Sequence, residues 1–91
     1  MPGRSSKADL SNADLSNADF TGARVSDADL SGVNLRGANL QGVTLHKAYL
    51  RRADLSGLDL SNTSLFRSTL DGANLSKAIL LKANLYEAHL S

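Results

Sequence analysis

The hydrophobic positions of this chain recur with a strict period of five residues. From Leu10 to Leu90 every fifth residue is apolar, and 15 of these 17 positions are leucine, the exceptions being Phe20 and Val25. The residue two places earlier is alanine at 12 of the 17 positions. The register is unbroken from residue 8 to the end of the sequence, so one repeated unit organises almost the whole chain.

A period of five fits neither a helix nor an extended strand. Five residues of an α-helix turn by about 500°, so successive leucines would scatter around the helix instead of forming one apolar stripe. In an extended strand an odd period places successive leucines on opposite faces. The pattern therefore predicts a chain that turns once in every repeat, with Ala-x-Leu as a very short strand segment.

The two residues between neighbouring Ala-x-Leu segments are rich in serine, glycine and asparagine, which favour turns. If each corner turns by about 90°, four repeats close a square coil of 20 residues, and coils stack at about the 4.8 Å spacing of neighbouring strands. The sequence thus predicts an all-β parallel β-helix of about four coils with leucines on its axis. Leu35, Leu40, Leu55 and Leu60 should then be buried. Thr63 and Ser68, which replace alanine, should point inward with their hydroxyl groups bonded to carbonyls.

The segments Ala13-Asp14-Leu15-Ser16-Asn17 and Gly37-Ala38-Asn39-Leu40-Gln41 resemble the units of the pentapeptide-repeat family. The resemblance extends over residues 8–91 and implies a right-handed quadrilateral β-helix there, the handedness coming from the family alone. Residues 1–7 are expected to form a flexible segment or a thin cap. Most members of that family have no known activity, so the resemblance specifies a fold more sharply than a function.

Composition and charge exclude several classes of function. Ten Lys and Arg residues against nine Asp and Glu give a net charge of +1, too balanced for a strongly acidic nucleic-acid mimic or a strongly basic nucleic-acid binder. The absence of cysteine excludes disulfides and thiolate chemistry. The sequence contains no run of 18 apolar residues and no secretory signal in residues 1–7. A cytoplasmic location is therefore the default expectation.

The predicted coil brings together no catalytic or metal-binding set of residues. His46 and His89 fall two coils apart, and no serine is expected beside a histidine. Asp9, Asp27 and Asp29 form an acidic cluster, but bonding of Asp and Asn side chains to the local backbone explains it better than a cation site. We therefore expect no enzyme activity, no metal and no cofactor, since the sides of a filled prism offer no pocket that excludes water.

One part of the surface differs from the rest. The residues after Leu45, Leu65 and Leu85 are aromatic and 20 positions apart, which predicts an outward ladder at about 5 Å intervals. Residues 31–70 carry five basic and two acidic residues, a local charge of +3. Together these features predict a contact surface for a protein or an acidic ligand, formed by His46, Lys47, Tyr49, Arg51, Arg52, Phe66, Arg67 and Tyr86. The alternative is that the aromatic residues only stabilise the sheet by cross-strand packing.

Ile79 and Leu81 flank the inward Leu80 and are expected to face solvent near an open sheet edge. Exposed apolar residues and unpaired strand edges are typical of interfaces, so self-association through the C-terminal coil is predicted, as a homodimer or an end-to-end stack.

The sequence favours a non-enzymatic structural or protein-interaction module without a membrane or direct nucleic-acid partner. The alternative, implied by the resemblance, is a DNA-mimicking regulator of a DNA topoisomerase, of the gyrase-binding, fluoroquinolone-resistance type. The net charge of +1 disfavours it.

Overall fold

The computed structural model describes residues 8–90, and each repeat in this range has the same local structure. Three extended residues are followed by a two-residue turn, the first turn being at 11–12 and the last at 86–87. The middle residue of each extended segment forms isolated bridges to neighbouring coils and belongs to no longer strand, and the described range contains no helix. The expectation for residues 1–7 lies outside the described residues.

The bridges are all parallel and connect residues 20 positions apart. Asp9 pairs with Asp29, Asp29 with Tyr49, and Tyr49 with Thr69, so these four residues form one column. Backbone bonds run in both directions between neighbouring coils: Asp29 N donates to Ala8 O, and Leu10 N donates to Asp29 O, both at 2.8 Å. One turn of the chain therefore takes 20 residues and includes four corners.

The faces are numbered here in chain order, and each corner carries the number of the face before it. Face 1 begins with residues 8–10, face 2 with 13–15, face 3 with 18–20 and face 4 with 23–25, and each continues every 20 residues. This register places Asp29 next to Asp9 in the same column.

All sixteen described corners share one backbone conformation. The second turn residue has a positive φ, and it is glycine at six corners and another residue at ten. Because the first turn residue is not in this region, the geometry is that of a type II turn. The residue after the turn closes it, as when Ala13 N donates to Leu10 O at 3.1 Å. Glycine adopts this conformation without steric cost, whereas charged residues such as Lys47 and Arg67 adopt it because the stacked coils require it.

The core is a column of leucines in the middle coils. Leu35, Leu40, Leu55 and Leu60 are 2%, 3%, 1% and 0% exposed, which confirms their predicted burial. Most of the corresponding residues of the first and last described coils are only partly buried, because they pack against the core from one side, and Leu90 at the end is exposed. These partly buried residues are Leu10, Leu15, Phe20, Val25, Leu75, Leu80 and Leu85.

Thr63 and Ser68 occupy the inward alanine position, as predicted. Both are fully buried, and each hydroxyl donates to the carbonyl that precedes its corner: Thr63 Oγ1 to Leu60 O at 2.7 Å and Ser68 Oγ to Leu65 O at 2.8 Å. These bonds satisfy hydroxyl groups that would otherwise be costly to bury. The apolar column therefore accommodates two polar side chains without an unpaired hydroxyl.

Candidate interaction surface

The three predicted aromatic residues form a continuous ladder on corner 4. The rings of His46 and Phe66 meet edge to face, with centroids 5.5 Å apart and planes at 68°. Phe66 and Tyr86 are nearly parallel, with centroids 5.8 Å apart and planes at 8°. The predicted stacking is confirmed, and its rungs follow the spacing of the coils.

The ladder is bordered by charged residues at the second position of the same corner. Lys47, Arg67 and Glu87 follow the three rings in sequence. Arg67 Nε donates to Glu87 Oε1, and the Arg67 guanidinium lies 5.3 Å from the centroid of the Phe66 ring. Both side chains of this ion pair are about half exposed, so it contributes little to stability. It does hold the Arg67 side chain against the ladder.

Aspartate and asparagine in the middle of a face cap the corner that follows. Asp9 Oδ1 accepts the N–H of Ser11 at 3.1 Å, and Asn84 Oδ1 accepts the N–H of Tyr86 at 3.0 Å. This bond forms wherever Asp or Asn occupies that position, at ten of the sixteen described corners. The capped N–H takes no part in the bonds between coils, so the cap satisfies a donor that only water would otherwise reach.

Six described corners lack the cap, because the residue in the middle of the preceding face is neither Asp nor Asn. Five of the six lie on corners 4 and 1, where the candidate surface is found, and the sixth lies on corner 3. Their uncapped N–H groups belong to Ser26, His46, Phe66, Arg51, Asp71 and Leu81. The repeat therefore departs from its stabilising pattern mainly at the candidate surface. Sequence reasoning missed this signal, which is visible as a non-Asx residue in the middle of a face.

The caps lower the pKa of the carboxyl groups that form them. The Ser11 hydroxyl, followed by the Ser11 N–H, holds the pKa of Asp9 below its ordinary value of 3.8. The residue two positions later has the same effect at four further carboxyl groups, those of Asp14, Asp19, Asp54 and Asp59. Since the folded pKa lies below the unfolded one, ionised caps stabilise the folded state above the unfolded pKa.

We expect stability to fall as the pH decreases from about 5 through the lowered folded pKa values, because protonation then weakens these caps. Urea unfolding followed by circular dichroism at pH 7 and pH 3 measures the loss. The triple variant Asp9→Asn, Asp14→Asn, Asp19→Asn keeps an acceptor oxygen at each cap, as Asn34 does naturally, but removes three titrating groups. A smaller loss is expected for it, and an equal loss would contradict the role of these caps.

The other predicted contact residues lie around face 1. Tyr49 is in the middle of that face and half-buried, with Lys47 exposed on the corner before it and Arg51 and Arg52 exposed on the corner after it. The Arg52 side chain extends along its corner toward Gly72 of the next coil, where a Cβ would lie 3.3 Å from Arg52 Cγ. The fold thus brings all eight predicted residues to two adjacent corners and the face between them. We call this region the basic-aromatic strip.

One expectation about catalysis was wrong in detail. His46 does have a serine beside it, because His46 Nε2 and Ser64 Oγ are hydrogen-bonded at 2.6 Å. Ser64 is in the middle of face 4, not at a corner, so a search limited to corner serines overlooked it. In the described residues no carboxylate orients the other ring nitrogen of His46, as nucleophilic catalysis by such a pair requires.

The sides of the coil are also less uniform than expected. An open depression at the C-terminal end of face 1 is lined by Arg67, Thr69, Glu87, Ala88 and His89. Within residues 8–90 no three His, Asp or Glu side chains are placed to hold a metal ion. The carboxylates of Asp9 and Asp29 instead bond to the corners that follow them.

The described residues expose four large hydrophobic side chains, and all lie in the last coil. Ile79 is 48% exposed and Leu81 is 70% exposed, as predicted for their outward positions. Tyr86 and Leu90 complete the set. Residues 8–90 include no helix long and apolar enough to cross a membrane.

The repeat and its coil are those of a known family. The family described as pentapeptide repeats matches eight copies of its unit in this chain, over residues 6–37, 28–65 and 59–91. These matches extend over nearly the whole sequence. The chain therefore belongs to the pentapeptide-repeat family. No curated protein matches it.

Several solved structures share this fold. HetL from the cyanobacterium Nostoc sp. strain PCC 7120, a pentapeptide repeat protein involved in heterocyst differentiation regulation, is 38% identical with a TM-score of 0.85, over 88% of this chain and 37% of that chain. QnrB1, a plasmid-mediated fluoroquinolone resistance protein, is 24% identical with a TM-score of 0.83, over 90% and 40%. Rfr23 from the cyanobacterium Cyanothece 51142 is 26% identical with a TM-score of 0.58, over 97% and 67%. The chain thus forms a right-handed β-helix solenoid and spans about two fifths of the length of the first two.

Proposed function

We propose that this protein is a non-enzymatic interaction module that binds a partner protein through the basic-aromatic strip. In this proposal residues 8–91 form about four coils of a quadrilateral β-helix that supports the strip rigidly. The cytoplasmic location stays a prediction. The aromatic ladder of His46, Phe66 and Tyr86 is the observation that carries the proposal.

The ladder has the properties of an interface anchor. Tyr86 is 64% exposed, although its ring is large and apolar. Stacking and the neighbouring Arg67 restrict the motion of the Phe66 ring, so little side-chain entropy remains to be lost on binding. Aromatic and arginine side chains dominate the binding energy of protein interfaces. Packing that served the sheet alone would not explain why the Asx cap is missing at the corners of His46 and Phe66, whereas Tyr86 keeps its cap from Asn84.

The distribution of charge disfavours a DNA-mimicking regulator of a topoisomerase. Such mimicry needs a continuous negative stripe along the coil. On face 2 the column instead alternates charged and neutral residues, namely Asp14, Asn34, Asp54 and Asn74. Basic residues occupy the corners beside face 1, and the identity to QnrB1 is low enough to show the fold alone.

Phe66→Ser is expected to abolish capture of a partner while leaving the protein folded. The substitution removes the central ring of the ladder, but Phe66 lies outside the leucine core. Affinity capture from a host lysate, with proteins identified by mass spectrometry, measures the effect, and circular dichroism verifies the fold. Gln41→Ser, on exposed corner 3, is the matched control. Equal capture by the native and Phe66→Ser proteins would contradict the proposal. A Phe66→Ser protein that loses its fold but no captured partner would contradict it as well.

We also propose self-association through the C-terminal coil. The supporting observation is that all large exposed hydrophobic side chains of the described range lie between residues 79 and 90. Ile79 and Leu81 project sideways from adjacent positions on face 3 and corner 3, so they form one apolar patch. A two-fold contact between such patches gives a closed dimer, the commonest symmetric arrangement.

The double variant Ile79→Lys, Leu81→Glu is expected to remove a side-on dimer, because it places charges in the contact. Sedimentation velocity at several concentrations measures the association of the native and variant proteins. A concentration-dependent shift in the native protein alone is the expected result. A single monomeric native species at high micromolar concentration would rule out self-association, and equal association of both proteins would exclude the Ile79 and Leu81 patch as its site.

A further inference from the structure

Three exposed basic residues flank Tyr49 within a single coil. Lys47 lies directly before face 1, and Arg51 and Arg52 lie directly after it. In the part of the chain that the structure describes, none of the three is paired with a carboxylate, whereas Arg67 is paired with Glu87. The positive charge of this row is therefore available to an anionic group from outside the chain.

The main-chain N–H of Arg51, in the same row, lacks a side-chain acceptor in the described residues. In the first two coils of face 1, Asp9 and Asp29 cap the N–H groups of Ser11 and Ser31 at 3.1 Å and 3.0 Å. Tyr49 holds the equivalent position in the third coil, and no side-chain oxygen of residues 8–90 caps the N–H of Arg51. An external carboxylate has the acceptor chemistry of the missing cap, and bonds from N–H groups to charged oxygens are stronger than neutral ones.

We propose that the basic-aromatic strip binds an acidic segment of its partner protein, with one carboxylate accepting the N–H of Arg51. Further carboxylates of the segment lie against Lys47 and Arg52. This inference rests on the proposed function and names the chemistry of the partner at the same surface. The half-buried Tyr49 ring and the nearby ladder provide apolar contacts for the other side chains of the segment.

The surroundings of the row favour an acidic peptide over a nucleic acid. Asp29 is bridged to Tyr49 from the preceding coil, and Asp71 stands next to Arg51 on the same corner in the following coil. A nucleic-acid strand carries a charge about every 3.4 Å, so its phosphates would meet these carboxylates on leaving the row. A peptide can place one or two carboxylates in the row and neutral residues beyond it.

The test uses the full chain labelled with ¹⁵N and titrated with a hexaglutamate peptide, with hexaglutamine as the uncharged probe. We expect a saturable shift of the Arg51 amide signal with hexaglutamate, whereas the capped amides of Ser11 and Ser31 should remain in place. Binding should weaken as salt rises, because exposed charges are screened. No shift at Arg51, or an equal response to hexaglutamine, would overturn the proposal.

Two matched charge reversals separate the site from overall charge. Arg51→Glu with Arg52→Glu is expected to weaken hexaglutamate binding by about tenfold or more. Lys77→Glu with Lys82→Glu makes the same change in net charge on corners 2 and 3 and should have little effect. Equal weakening by both pairs would show that only net charge matters, which overturns the proposal. Tighter binding of a hexathymidine oligonucleotide than of hexaglutamate would assign the surface to nucleic acid and also overturn it.

Tyr49→Asp tests the missing cap itself. The new carboxylate is placed to cap Arg51 as Asp29 caps Ser31, so the Arg51 amide signal should shift in the free variant and respond no further to hexaglutamate. If the Arg51 amide of this variant responded to hexaglutamate as in the native protein, the proposed role of the missing cap would be overturned. The proposed function fails separately: if hexaglutamate does not bind but Phe66→Ser still abolishes partner capture, only the acidic chemistry is wrong. If hexaglutamate binds but Phe66→Ser leaves capture unchanged, the ladder is not the contact site.

Discussion

Leu60→Ala is expected to lower the free energy of unfolding by about 2–5 kcal/mol. Leu60 is 0% exposed and belongs to the central column of face 3, between Leu40 and Leu80. The substitution removes buried apolar surface and leaves a void that the coil cannot close, because a bond to the following coil holds its backbone in place, Leu60 N donating to Ile79 O at 2.7 Å. Small domains have a total stability of only about 5–15 kcal/mol, so the loss is a large fraction of it.

Urea unfolding followed by circular dichroism measures this effect. Leu81→Ala is the matched control, since it makes the same chemical change at a side chain that is 70% exposed. The control is expected to change the free energy of unfolding by about 0.5 kcal/mol or less. If the two variants unfolded at the same urea concentration, the leucine column would not be the main source of stability.

Asn62→Val is expected to destabilise the protein by about 1–3 kcal/mol. Asn62 is the second residue of its corner and has a φ of 63°. A β-branched side chain is strongly disfavoured in this left-handed region, whereas asparagine tolerates it. The backbone cannot relax to another conformation without loss of the bond from Asn62 N to Leu81 O at 3.0 Å.

Asn62→Gly is the control for this corner. Glycine already occupies the equivalent position one coil earlier, where Gly42 has a φ of 71°. The glycine variant should therefore match the native protein within about 0.5 kcal/mol, while the valine variant unfolds at a lower urea concentration. Similar midpoints for the two variants would show that the positive φ does not restrict the choice of residue.

The fold could be predicted from the sequence because its physical cause is local and repeated. A period of five excludes a straight helix or strand, and the burial of Leu35 and Leu60 follows once the chain turns at every repeat. The inward hydroxyl groups of Thr63 and Ser68 were predictable for the same reason, since each takes the place of an alanine. The positions of the ladder residues followed from the 20-residue coil.

The candidate site was predictable only in part. The rings of His46 and Phe66 had to be neighbours, but their edge-to-face contact and the bond from His46 to Ser64 depend on side-chain rotamers. The periodicity does not specify a rotamer. The ion pair of Arg67 with Glu87 likewise connects two coils through flexible side chains. The sequence therefore did not indicate that these two charges would pair.

The sequence by itself determined the coil, its apolar axis and the column in which each residue stands, because these follow from spacing along a regular chain. Only the tertiary structure decided which main-chain donors are satisfied. The coils leave the N–H of the first corner residue outside their hydrogen-bond ladder, and an Asp or Asn two residues earlier captures it, as Asp29 does for Ser31. Where Tyr49 replaces that residue, the N–H of Arg51 stays uncapped beside exposed cations. A donor's need for an acceptor depends on three-dimensional geometry, so the period of the sequence could not reveal it.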